Sequence, residues 1–150
     1  MTDPHDHNRV AARLVMYGSR FATYARLRAS EPRSVVALRI LSLLQQLGPI
    51  RIGDIALRER LSQPAISTSV TKLEADGLVA RESDPTDARA TVVRLTEAGD
   101  AEIRAFRLRA GEAVRPALEQ LDEDEWVTLA RATDILERLT IDEPPHPHHH

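Results

Sequence analysis

The spacing of apolar residues predicts a chain built mostly of helices with one short hairpin. In residues 9–28, Val10, Leu14, Tyr17, Phe21 and Tyr24 recur at intervals of four and three, one stripe along a helix with Arg on its other faces. Glu31-Pro32 breaks that pattern. Residues 34–47 start at a capping Ser34 and are apolar on nearly every face, so this helix should be central and buried, ending at Gly48-Pro49. After a short extended piece, Ile50-Arg51-Ile52, two short helices are expected over 53–60 and 63–76. Ser62 is the N-cap of the second, Pro64 sits in its first turn, Ile66, Val70 and Leu73 form its buried stripe, and Gly77 is placed for a left-handed C-cap.

Periodicity then switches from helix to strand. Residues 78–95 read as a hairpin, LVARES and RATVVRL around a DPTDA loop whose Asp and Pro supply turn chemistry. Thr96 caps a long helix carrying Ile103, Phe106, Ala110, Val114, Leu118 and Leu121, with an internal Pro116 expected to kink it. The acidic run from Asp122 opens a last helix with a stripe of Trp126, Leu129, Thr133, Leu136 and Leu139. No internal repeat interrupts this order.

At 150 residues the chain has the size of one domain and can bury about 68–70% of its unfolded surface without staples. It has no Cys, which excludes disulfides, thiolate metal sites and thiol redox switches and suits a reducing, cytoplasmic setting. No stretch approaches the length of a membrane span, and the acidic, His-bearing start does not read as a signal peptide. Residues 1–8 and 141–150 are expected to be disordered, the His-rich tail being either a native end or part of a purification tag. The net charge of −3 argues at first against nucleic acid, but the distribution reverses that. Residues 1–49 are net +4, residues 50–95 neutral, and residues 96–150 net −7. Of 20 basic residues only Lys72 is not Arg.

Two elements carry candidate chemistry. The helix pair, with its tight connection and Ala56 where the two would cross, looks like a helix-turn-helix, whose second helix presents its N-terminal residues to base edges in the DNA major groove. Ser62, Gln63, Ser67, Thr68, Thr71 and Lys72 offer hydrogen bonds and one charge there, and Pro64 and Ala65 offer apolar contact to a thymine methyl. The plainer alternative is a Ser/Thr-rich surface helix. The second element is the hairpin, which directly after such a helix would be a wing. Its Asp84 and Asp87, three apart, are in isolation as consistent with a cation site as with a turn.

From Leu61 to Gly99 the sequence resembles the MarR family of bacterial winged helix-turn-helix transcription regulators. Leu73-Glu74-x-x-Gly77-Leu78-Val79-x-Arg81, Asp84-x-x-Asp87-x-Arg89 and Val93-x-Leu95-Thr96-x-x-Gly99 carry the match, and the flanking helices extend it over residues 9–140. The resemblance implies a mainly α fold with a small β-hairpin. Residues 34–96 would form the winged helix-turn-helix, and 9–33 with 97–140 a helical dimerisation region. It implies a homodimer on double-stranded DNA, with two recognition helices about 34–36 Å apart over a pseudo-palindromic operator, acting as a repressor. By position, Gln63 to Thr71 would face the groove, while Arg81 and Lys72 would neutralise phosphates. Arg89 would be the wing Arg, held by a carboxylate of its own loop, Asp84 or Asp87. Two positions depart from the family pattern. Ala88 stands where a wing tip often carries a basic residue, and Arg58-Glu59-Arg60 crowds the turn between the paired helices.

Family members often release DNA when a small aromatic or phenolic acid binds. Tyr17, Arg20, Phe21, Tyr24, Arg28 and Trp126 are the candidates for such a pocket, with dimer core or internal packing as the alternative for the aromatics. No metal or other cofactor is expected; His5 and His7 near Asp3 and Asp6 are the one His cluster outside the tail. An enzyme reading finds no G-x-S-x-G, no glycine-rich phosphate loop, no H-E-x-x-H and no His within 8–145. A winged-helix module that binds protein and not DNA is the other alternative.

Overall fold

The computed structural model describes residues 6–141. Its elements in order are α1 (His7–Arg28), α2 (Val35–Leu47), β1 (Ile50–Arg51), α3 (Ile52–Glu59), α4 (Gln63–Ala75), β2 (Val79–Asp84), β3 (Asp87–Leu95), α5 (Glu97–Leu118) and α6 (Glu123–Ile141). The chain divides into two compact units, residues 1–113 and 114–150, with α5 crossing the boundary.

In the first unit the caps form where the sequence puts them. Ser34 accepts from the Ala37 N–H at 3.1 Å and Ser62 from the Ala65 N–H at 3.3 Å, each satisfying an otherwise orphaned helix donor. Helix α1 opens at His7, earlier than its apolar stripe suggests, because Asp6 accepts from the Arg9 N–H. Its neighbours Asp3 and His5 lie outside the described residues.

Helix α2 is the pillar of the core. Leu38, Ile40, Leu41 and Leu44 are buried against Ile55 and Ala56 of α3, Ile66, Val70 and Leu73 of α4, Val79 and Val93 of the sheet, and Ile103 of α5. The sheet is antiparallel, ordered β1-β3-β2, with Ile50 opposite Val93 and Val79 opposite Leu95. The extended piece expected at residues 50–52 is a strand over 50–51, and its pairing with β3 is what the sequence pattern did not place. The hairpin is also tighter than the five-residue loop expected. Asp84 pairs with Asp87, leaving Pro85-Thr86 as the turn.

One joint fixes the wing to the helices on either side of it. Gly77 closes α4 at φ 74°. The Thr96 hydroxyl donates to the Gly77 carbonyl at 2.7 Å and accepts from the Gly99 N–H at 3.0 Å, so it caps α5 and ties it to the end of α4. Gly99 must be glycine there. A Cβ would sit 2.7 Å from Leu95 Cδ1 and 3.0 Å from the Leu78 carbonyl carbon.

In the second unit, Asp122 and Glu125 form a reciprocal capping box at the start of α6, at 2.8 and 3.0 Å. Helix α5 continues through Pro116 to Leu118.

Candidate nucleic-acid interface

Burying Ile66, Val70 and Leu73 turns the opposite face of α4 outward. Ser62, Gln63, Pro64, Ala65, Thr68, Thr71 and Lys72 are exposed, and Ser67 is half-buried. The Thr68 and Thr71 hydroxyls donate to the carbonyls of Pro64 and Ser67, both at 2.9 Å. These threonines therefore present lone pairs and methyl groups outward, not free donors. Arg81 is engaged within the protein in a way its place in the motif does not reveal. Its fork reaches Glu74 at 2.8 Å and Thr71 at 3.0 Å, lashing the first wing strand to the flank of α4.

The turn before α4 accommodates the crowded Arg58-Glu59-Arg60 in two ways. Arg60 takes the left-handed conformation that ends α3, at φ 53°. Glu59 folds inward against Arg39, 2.6 Å from its Nε.

The wing tip corrects one expectation. The Arg89 side chain is not held by a loop carboxylate. Asp87 accepts from the Arg89 backbone N–H at 3.0 Å, an Asx-type contact that shapes the turn. Asp84 takes the Thr86 N–H at 2.8 Å and hydroxyl at 2.7 Å on one oxygen, and Arg51 Nε at 2.6 Å on the other. The reason is reach: β1 brings Arg51 alongside, and the two-residue turn leaves Arg89 exposed beyond it. The Thr86 hydrogen bonds, reinforced by Arg51, hold the Asp84 carboxyl down to about 2, so it stays ionised. Arg51 is the residue that sequence reasoning missed. Its partner lies 33 positions away, and no spacing rule within residues 50–52 points to it. Among the described residues no group of three or more His, Asp or Glu side chains could hold a metal ion.

The aromatic stripe of α1 bears on the two alternatives left open for it. A cleft of about 470 Å³ lies between α1 and α2, lined on α1 by Ser19, Ala22, Thr23 and Arg26. At 100° per residue those four positions are on the side opposite Tyr17, Phe21 and Tyr24. The aromatics do not line the cleft. Tyr17 and Phe21 are 47% and 46% exposed, with the Arg13 and Arg20 guanidinium groups over Tyr17 and Arg28 over Tyr24. Trp126 belongs to the second unit and is likewise exposed.

A capped outward helix, a tight turn before it and a two-stranded wing after it, paired to β1, find their counterpart among known sequences. The model of the MarR family matches residues 34–91, from the cap of α2 into the second wing strand. An HTH-type transcriptional regulator of Mycobacterium leprae is 33% identical over 140 residues, covering 91% of this chain and 96% of its own. The chain belongs to the MarR family. Its fold is the winged helix of MarR proteins. RV1404 from Mycobacterium tuberculosis matches with a TM-score of 0.74 at 19% identity, over 95% of this chain and 99% of that one. A mutant of MepR from S. aureus, bound to an oligodeoxyribonucleotide, matches with a TM-score of 0.60 at 23% identity, over 87% and 98%. No helix among the described residues of this MarR protein is long and apolar enough to cross a membrane.

Proposed function

We propose that this MarR-family regulator binds double-stranded DNA sequence-specifically as a homodimer and represses transcription from a pseudo-palindromic operator in the cytoplasm. The observation that carries the reading is the outward face of α4, a helix anchored by three buried residues whose exposed positions bear only small or hydrogen-bonding groups and Lys72. Gln63, first in the helix, suits a bidentate contact to adenine, and Pro64 and Ala65 suit a thymine methyl. Thr68, with its hydroxyl proton engaged, suits an exocyclic amine as an acceptor, while Thr71, whose oxygen also accepts from Arg81, offers its methyl group. Lys72 and Arg89 of the wing, whose side chain makes no ion pair among the described residues, neutralise phosphates. Ala88 limits how deeply the wing tip reads the minor groove.

The dimer is supported by apolar surface left uncovered at both chain ends. Leu14, Met16, Tyr17 and Phe21 on α1, and Trp126, Leu129 and Leu136 on α6, are exposed in the single chain. Release by a small aromatic or phenolic acid is supported by the cleft, whose volume is in the range of ligand sites and whose apolar wall carries Arg26, beside an Arg39 already paired with Glu59. The aromatics of α1 and Trp126 then belong to the dimer and not to the effector. The relatives are named as regulators, and a non-enzymatic role follows from that reading.

Selection of bound duplexes from a random pool, followed by titration over a salt series, tests the proposal. A selected palindrome whose affinity falls steeply with salt is expected. Gln63→Ala and Thr68→Ala should change which duplexes are selected more than the overall affinity. Equal losses on selected and random duplexes would overturn the base-reading roles. Absence of binding to any duplex would favour a protein-interaction module.

A further inference from the structure

Arg51 stands at the end of β1, opposite Val92 of β3. Because β3 lies between β1 and β2, its side chain must span the middle strand to reach Asp84. It does so through Nε, at 2.6 Å, and neither of its Nη groups makes a hydrogen bond among the described residues. The platform it rests on is rigid. The Asp84 side chain is only 10% exposed and its other oxygen is held twice by Thr86, whereas the Arg51 side chain remains 43% exposed. Two residues further on, a Cβ at Gly53 would sit 3.0 Å from the Gln63 amide nitrogen, so the first residue of α4 packs on the start of α3. Arg51 therefore lies between the base-reading end of α4 and the wing tip. Asp54 and Asp87 are the other charges that act on it.

We propose that Arg51 contacts the DNA backbone, presenting its two free Nη groups as a fork to a phosphate between the footprints of the recognition helix and the wing, with Asp84 as the residue that positions it. Side-on pairing through Nε leaves the geometry that suits bidentate phosphate recognition. Holding the long side chain in place before binding lowers the cost of ordering it on the DNA. Asp54 and Asp87 oppose the phosphate, so the contribution of Arg51 shows most clearly in the salt dependence. The inference rests on the DNA-binding reading above.

The test is a fluorescence-anisotropy titration of the full chain on a selected duplex over about 50–200 mM salt, the range where phosphate contacts dominate the dependence. For Arg51→Ala, the slope of log K against log salt should shrink by about 0.9 for each protomer. Arg51→Lys should keep the slope. Asp84→Ala should weaken binding by about 2- to 10-fold, and this effect should vanish in the Arg51→Ala background. An unchanged slope in Arg51→Ala overturns the contact and leaves the pair as an internal staple. If that variant melts early, Arg51→Gln, which keeps a donor for Asp84 without the charge, gives the same reading. Additive effects of the two substitutions overturn the positioning role of Asp84. Salt-insensitive or absent binding by the unsubstituted protein refutes both readings, and that is visible before any variant is compared.

Discussion

Gly99→Ala isolates the joint that sets the wing against α5. The new methyl would lie 2.7 Å from Leu95 Cδ1 and 3.0 Å from the Leu78 carbonyl carbon, and further inside contact with the Leu78 carbonyl oxygen. Leu78 cannot move away freely. Its N–H donates to the Leu73 carbonyl at 2.9 Å and its own carbonyl accepts from the Thr96 N–H at 3.1 Å. Overpacking a tight site costs about 1–3 kcal/mol, and contact with pinned backbone places this case at the upper end. Replacing a helical Gly returns about 0.5–1 kcal/mol. The net is a loss of about 2 kcal/mol, which for a chain of this size lowers the melting midpoint by about 4–8 °C. Thermal melts should be run at fixed protein concentration, because association shifts the midpoint. A variant that melts at or above the parent temperature would refute the close approach of α5 to Leu78 and the account of why glycine stands at this point in the motif.

The remaining expectations are simpler to state. Ser62→Ala should cost about 1 kcal/mol by orphaning the Ala65 N–H, read as a lower denaturation midpoint with unchanged slope; no loss would mean the cap is not formed in solution. The Asp84 carboxyl, held below its ordinary value of 3.8, should titrate near 2 by carbon-detected NMR. Its depressed value means its stabilisation is complete above about pH 4 and is lost as pH falls through 2, and a midpoint at the ordinary value would refute the wing-tip geometry. In sedimentation at micromolar concentration the chain should run as a dimer. Phe21→Glu, removing about 1.5–3 kcal/mol of apolar burial from each protomer, should weaken association by two or more orders of magnitude. A monomeric parent chain would remove the homodimer.

What the sequence determined by itself is local. A serine before an apolar run makes a cap because its oxygen reaches an N–H three residues on, and Ser34 and Ser62 do so. Gly77 ends α4 because the chain needs a positive φ there, and the β-branched run Thr91-Val92-Val93 after an Asp-Pro turn makes a strand. The MarR motif was legible as a run of turns and caps at fixed spacing, although Thr96 meets Gly77, 19 positions back, only once the hairpin has folded. The partners of long side chains were not legible. Arg51 reaches Asp84 across an intervening strand, Arg81 reaches back to Thr71, and the aromatics of α1 face away from the cleft. An Arg has several acids within its arm's length in any fold. Which one it meets depends on where the sheet and helices place the backbones, and that placement exists only once the core around α2 has closed.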